Sequence, residues 1–375
     1  MKSRFVLSLS AIVVVSFAAI FFSASSVAGQ SQTADRDVKA AKEAERKLIL
    51  DVAADLKKRD AALAIPTNVK NWKPARTPWG DPDLNGVYSN SDESGIPFER
   101  PAEFTGKRLQ DITADELNRL RDTRRNATID RAASAVEDPE GHPQLFWWEN
   151  LNASNSRAWL VTDPSDGKIP PTTPQAQQRA AARLEARKRS GRGPADGPED
   201  RSLYDRCISR GLPGSMMPTI YGSSYEIVQG PTEVAIIYEM IHETRVIPLD
   251  RQQQRPGKQV ATYMGVARGH FEGDTLVVET TNFKDATAYR NASGETLKLV
   301  ERFTPSGPAS VEWSVTVEDA STWTRPWTFA MSLTKKDASQ QPFEYACHEG
   351  NYGLKNILSG ARADEAAAAA RRGSK

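Results

Sequence analysis

The 375-residue chain holds two cysteines and four histidines, and its formal net charge is +1. Each shortage excludes something. The near balance of 49 basic and 48 acidic residues gives no electrostatic footing for nucleic acid or for an anionic membrane surface. The histidines His142, His242, His270 and His348 form neither HxH nor HExxH spacing, so no metal site is read here. There is no Gly-rich phosphate loop, no dinucleotide fingerprint and no G-x-S-x-G elbow around Ser215, so no organic cofactor is expected. After the N-terminal stretch, no segment is apolar enough to span a bilayer.

What is present begins with that stretch. Lys2 and Arg4 precede an apolar run over 5–22, and the small residues Ser26 and Ala28 follow. This is the order of a secretory signal, 1–28, cleaved before Gly29; the run is also long enough to remain as an uncleaved anchor. Either way the body is exported, to the periplasm or beyond. In an oxidising compartment the two cysteines, Cys207 and Cys347, are expected to pair. The bridge would close a loop of about 140 residues, for which chain entropy allows about 5 kcal/mol. It would set the two Cα atoms about 5.5–6 Å apart. "LYDRC" and "CHEGNY" then become neighbours in space.

Residues 29–66 are a polar, helix-prone segment stopped by Pro66. Residues 67–200 read as an arm and helices packed on a larger body. The arm, "WKPARTPWGDPDLNGVYSN" (72–90), is too rich in Pro, Gly and Asp for one regular element, with Trp72, Trp79 and Tyr88 as anchors. Thr113 and Glu116 form a capping box for a helix over 112–136, and Thr173 with Pro174 opens another over 172–190. "GRGPADGPED" (191–200) reads as a linker.

A domain over 201–360 changes character. "SYEIVQ", "TEVAIIYEMIHETRVIPL", "ATYMGVARGHF", "TLVVETTNF", "ETLKLVERF", "SVEWSVTVED", "RPWTFAMSLTKK" and "QPFEYACHE" follow one another with no helix between. About eight such strands predict a mainly β fold, an antiparallel meander that closes as a barrel or stacks as a sandwich. Cys207 precedes the first strand and Cys347 ends the last. A bridge joining the two ends favours the barrel, because closure removes exposed edges, and a barrel of this size can enclose one small ligand. Residues 361–375 read as a disordered or helical tail.

Several of these segments together resemble a large family of exported, functionally uncharacterised bacterial proteins. They are "RTPWGDPDLNGVY", "VTDPSDGKIPPTTPQAQQR", "LYDRCISRGLPGSMMPTIYGSSYEIVQ", "IIYEMIHETRVIPLD", "FEGDTLVVETTNF", "LVERFT", "TVEDASTWTRPWT" and "YACHEGNYGLKNILSGAR". The resemblance covers most of the chain between residues 75 and 363. It implies export and a shared fold, and it carries no activity. The chain departs from the pattern after "IPLD", where relatives show a Gly-containing turn and this sequence has "RQQQRPGKQ".

Two groups of residues are candidates for chemistry. The bridge would gather Asp205, Arg206, His348, Glu349 and Tyr352, with His348 as general acid or base and Glu349 or Asp205 orienting it. The same residues also make sense as a surface ion pair and a turn. Separately, alternation puts Val234, Ile236, Tyr238, Met240, His242, Thr244 and Val246 on one inward face. His242 is then either a hydrogen-bonded core residue or a contact to a ligand in the lumen. Arg325, between Trp323 and Trp327, can stack on an aromatic face. Trp147 and Trp148 are core residues or a lid over one mouth, and Trp313 joins Val311, Val315 and Val317 in the core.

Three functions follow as expectations. The first is an exported barrel holding a small, mainly apolar ligand through Tyr238, Met240, His242, Arg325 and Tyr352. The second is an acid–base enzyme without an organic cofactor, using His348, Glu349, Asp205 and Arg206. The third is an envelope interaction protein acting through the arm and helices. A lumen filled by side chains would remove the basis of the first.

Overall fold

The computed structural model describes residues 31–62, 71–136, 148–249, 257 and 259–373. The expected signal segment, His142, Trp147, the variable stretch after "IPLD" and the side chain of His242 lie outside the described residues. The chain divides into two compact units, 1–44 and 45–375. A helix α1 (Ser31–Ala62) opens in the first and ends in the second, which also holds every strand.

Ten strands make one sheet: β1 (Gly86–Ser89), β2 (Val161–Asp163), β3 (Ser224–Gln229), β4 (Glu233–Tyr238), β5 (Thr244–Pro248), β6 (Val266–Glu272), β7 (Thr275–Thr281), β8 (Lys298–Gly307), β9 (Ser310–Glu318) and β10 (Trp327–Lys335). Nine of them run in the order β5-β4-β3-β1-β10-β9-β8-β7-β6 around a nearly closed antiparallel barrel. The number is nine where the sequence suggested about eight, because the arm supplies β1, the run 232–249 gives two strands rather than one, and "QPFEYACHE" gives none. Its four residues insert between β3 and β10, with Tyr88 opposite both Tyr225 and Lys335. β2 takes the rest of the β10 edge, with Val161 opposite Phe329. Between them Glu93 accepts the amide of Ser332 at 3.3 Å.

Two-residue alternation builds the core. Val311, Trp313, Val315 and Val317 of β9 face inward beside Trp327, Phe329, Met331 and Leu333 of β10, all buried. Trp313, Trp327, Phe303 and Phe329 have no solvent exposure at all, so side chains fill the lumen and leave no water-sized space against these rings.

Closure follows from strand direction. Eight successive antiparallel pairings leave β5 and β6 pointing the same way. An odd ring cannot close by antiparallel pairing, and among the described residues no ladder joins these two strands. Packing closes the seam instead. A Cβ at Gly269 of β6 would meet Ile247 Cγ2 of β5 at 2.9 Å and Leu249 Cδ2 at 3.0 Å, so glycine is what lets the strands approach. From inside, Arg245 of β5 reaches over to β7 and β8. Its Nη2 donates to Thr280 Oγ1 at 2.7 Å and to Glu301 Oε2 at 2.5 Å, with both charged side chains buried. Trp313 Nε1 donates to the other Glu301 oxygen at 3.3 Å. Burial alone would lower the Arg245 pKa, but Glu301 overrides it and holds the guanidinium charged.

Three expectations need correction. The run 232–249 is not one strand. Residues 240–242 form a short 3-10 turn with Ile241 at φ +64°, and the chain reverses there. Met240 and His242 are therefore turn residues, and the inward parity flips: Arg245 is buried, while Thr244 and Val246 are exposed. "QPFEYACHE" is not a strand either, since β1 and β2 already occupy the edge of β10 that it would need. Consequently the cysteines do not join the closing strands; closure lies mid-chain, at β5 and β6.

The helices follow their local signals. In α2 (Ala114–Val136) the Glu116 amide donates to Thr113 Oγ1 at 3.3 Å and the Thr113 amide to Glu116 Oε2 at 3.0 Å. In α3 (Pro174–Ser190) Thr173 Oγ1 accepts from the Ala176 amide at 3.1 Å, and Gly191 ends the helix at φ +65°. α4 (Tyr352–Gly373) begins where the sequence reading expected the last strand to finish. Trp148 packs with Ile49, Ala53, Ile129, Ala132 and Leu151 between α1 and α2; it belongs to that satellite core and is no lid.

Candidate functional site

The start of β3 and the β4–β5 turn share one end of the barrel. The loop 203–223 gathers there. Ser209 and Ser215 donate their hydroxyls to Glu243 Oε2 at 3.0 and 3.4 Å, which ties the loop to the turn. The chain after β10 returns to the same end. The Lys336 amide donates to the Val87 carbonyl at 2.8 Å, and the Phe343 amide to Glu239 Oε1 at 3.1 Å. Cys347 then stands at disulfide distance from Cys207, with Cα atoms 5.7 Å apart.

This meeting builds a cluster of rings around one cation. The Arg210 guanidinium lies over the Tyr204 ring, 5.5 Å from its centroid. Tyr221 and Tyr345 stack at 6.2 Å between centroids. The Tyr204 and Tyr345 hydroxyls are close enough to that of Tyr221 to influence its titration. Tyr204 also donates to Met240 Sδ at 3.7 Å. Burial first, and then the hydrogen bond with Tyr345, pushes the Tyr221 hydroxyl up to about 12. Burial raises Tyr204 and Tyr345 as well. All three phenols therefore keep their protons at neutral pH and bring no negative charge to Arg210.

The rim carboxylates are engaged elsewhere. Glu149 accepts from the amides of Gly222 and Ser223 at 3.0 and 3.4 Å, and Glu239 from those of Ser224 and Phe343 at 3.2 and 3.1 Å. Burial holds the Glu149 pKa up against the Gly222 amide, with Glu239 adding to the rise. Half-buried Arg210 forms no salt bridge among the described residues; its one protein hydrogen bond reaches the Met217 carbonyl at 3.5 Å. The rim carboxylates thus accept from amides and hydroxyls, and among the described residues none of them pairs with Arg210.

The residues singled out from sequence fall differently. Asp205 is paired with Arg201 at 3.0 Å, and its carbonyl accepts from Asn351 Nδ2 at 2.8 Å. His348, Glu349 and Tyr352 are exposed, and Arg206 is half-buried. The cysteine pair makes these stretches neighbours without enclosing a pocket around them. Tyr238 does face the lumen, edge-on to Tyr225 at 5.9 Å, yet among packed side chains. Met240 is buried beneath the rim tyrosines. Arg325 is exposed and paired with Asp163 at 3.0 Å, outside the lumen. Among the described residues no group of three or more His, Cys, Asp or Glu side chains is placed to hold a metal ion. No helix among them is long and apolar enough to cross a membrane.

The sequence reading missed Tyr204, Arg210, Tyr221 and Tyr345. A signal existed for three of them: Tyr204 and Arg210 flank Cys207 by three residues on either side, and Tyr345 precedes Cys347 by two. Attention to acid–base types passed over the tyrosines.

No family model, no curated protein and no solved structure matches this chain.

Proposed function

We propose that this is an exported binding protein that holds a small ligand carrying an anionic oxygen group on a flat apolar body, seated at the barrel rim. The observation that carries the reading is Arg210, a half-buried guanidinium over Tyr204, beside the stacked pair Tyr221 and Tyr345, with no carboxylate partner of its own among the described residues. A guanidinium offers a planar fork to a carboxylate, and tyrosine rings offer flat faces to the rest of the molecule. The lumen is set aside as the ligand's place because side chains fill it. The apolar run at the N-terminus and the paired cysteines support export.

The acid–base enzyme reading has less support. His348 and Glu349 are exposed, Asp205 is held by Arg201, and phenols pushed upward by burial are donors rather than bases.

The test is calorimetric titration of the full chain with benzoate and with its neutral counterpart benzamide. Benzoate is expected to bind and benzamide to bind at least tenfold more weakly. Arg210→Gln is expected to lose about 10- to 100-fold for benzoate, the range of one charge-assisted hydrogen bond. Equal binding of the two probes, or an unchanged affinity in Arg210→Gln, would sink the reading.

A further inference from the structure

We infer that the Cys207–Cys347 pair is a redox gate on the rim site, so that reducing it releases Tyr345 and weakens the ligand. The inference rests on the rim reading above. Three of the four rim residues hang on the pair: Tyr204 and Arg210 on either side of Cys207, and Tyr345 beside Cys347.

The tail around Tyr345 lies largely in solvent. Residues 336–351 contain no helix or strand. Phe343 is 82% exposed, and Glu344, Ala346, His348 and Glu349 are also exposed. The tail's ties to the barrel end include the Tyr221 stack, the Phe343 amide to Glu239, and Asn351 Nδ2 to the Asp205 carbonyl and Cys207 Sγ. Segments with so little buried apolar surface open locally at small cost. Neither cysteine lies in a strand, so no ladder of the barrel includes the link, although the loop that carries Cys207 meets one end of the seam through Ser209, which donates to Glu243 Oε2 at 3.0 Å.

The pair is also built to let go. Cys207 holds φ +55°, a left-handed backbone that few non-glycine residues adopt, and it sheds that conformation more readily once the tail is free. Cys347 is half-buried, whereas Cys207 is buried, so Cys347 is the half of the pair nearer to solvent. The step balances with a dithiol reductant. One thiolate attacks Cys347 Sγ, the S–S bond breaks, and Cys207 leaves as thiolate and takes up a proton. The second thiol of the reductant then closes its own disulfide and releases Cys347 as a thiol. Two electrons and two protons pass to the protein.

The experiment uses benzoate on the full chain in three forms: oxidised, reduced with dithiothreitol, and reoxidised. Reduction is expected to weaken benzoate at least tenfold and reoxidation to restore it, while near-ultraviolet circular dichroism of the buried tryptophans stays unchanged. Oxidised Tyr345→Ala is expected to show a similar loss, and reducing that variant is expected to add less than twofold, because the gate acts through Tyr345. If affinity stays within twofold on reduction, the gate is overturned and the rim reading stands. Loss of the tryptophan signal on reduction also overturns it, because the link is then a condition of folding. Failure of the oxidised chain to bind benzoate removes both.

Discussion

Arg245 and Arg210 carry the same guanidinium into opposite surroundings. Arg245 crosses a lumen closed to water, where its Nη2 meets the counter-ion Glu301 from β8 and the hydroxyl of Thr280 from β7, while its Nε and Nη1 are buried without a hydrogen-bond partner among the described residues. Arg210 sits at the open rim over a tyrosine ring, with no salt bridge among the described residues. Burial explains the contrast. An ion removed from water costs several kcal/mol unless a counter-ion and hydrogen bonds replace the solvent. The lumen therefore admits an arginine only as half of a pair, and that pair braces the seam that the odd strand number leaves without a ladder. At the rim, water carries the cost of a charge that no salt bridge among the described residues offsets. One arginine is structure; the other is available.

The largest expected effect breaks the lumen pair. Glu301→Ala leaves a buried guanidinium without its counter-ion and is expected to cost about 3–5 kcal/mol, read from urea unfolding followed by tryptophan fluorescence. The double variant Arg245→Met/Glu301→Leu is expected to recover most of that loss, because two apolar side chains need no partner. A single-variant cost below about 1 kcal/mol would mean that the brace contributes little to holding the seam.

A buried carboxylate near the β9–β10 connection is expected to rank next. Asp319 accepts from the Ser293 and Ser321 amides, both at 2.9 Å, from Thr296 Oγ1 at 2.8 Å, and from the Thr322 hydroxyl. Burial pushes its pKa up, but the hydrogen bonds from Thr322, Ser293, Ser321 and Thr296 outweigh it, so the net shift is downward. A folded-state pKa below the unfolded one gives stability above the unfolded value, about 3.9, that is lost as pH falls through the folded value. Asp319→Asn is expected to cost about 1.5–3 kcal/mol at pH 7, the worth of hydrogen bonds to a charge. The gap between the two proteins should narrow as urea midpoints are taken from about pH 5 to about pH 2. A gap that stays constant with pH would mean that the carboxylate charge is not what Asp319 contributes.

Much of the barrel was legible, and the failures share a cause. Val311, Trp313, Val315 and Val317 alternate in the sequence, and they alternate in β9. Glu301 even announces itself, since it takes an apolar position between Leu299 and Phe303. Arg245 does not, because its parity depends on a turn that nothing marks. "YEMIHET" holds no glycine or proline, and Ile241 takes a positive φ that a β-branched residue rarely adopts. β1 is four residues long, and only its neighbours β3 and β10 make it a strand. The opposite error occurred at "QPFEYACHE", which looks strand-like but finds no free edge. Pairing is a property of two segments, and a single stretch of sequence states only half of it. The rim site suffers in the same way: the cysteines place Tyr204 near Tyr345, whereas Tyr221 arrives through loop packing that has no periodic signal.

The smallest effect sharpens the comparison most. Arg210→Gln removes a charge that no carboxylate in the described residues satisfies, so it strands no buried partner. What it loses is the contact with the Tyr204 face, worth about 0.5–1 kcal/mol at a site open to solvent. Its unfolding free energy is therefore expected to stay within about 1 kcal/mol of the parent's, against about 3–5 kcal/mol for the lumen variant Glu301→Ala. Benzoate binding should respond in the reverse order, strongly in Arg210→Gln and little in any lumen variant that still folds, such as the Arg245→Met/Glu301→Leu pair. Measuring both quantities on both variants separates the two arginines. If Arg210→Gln instead unfolds as easily as Glu301→Ala, Arg210 is a structural charge with an unrecognised counter-ion, and the division between lumen and rim collapses.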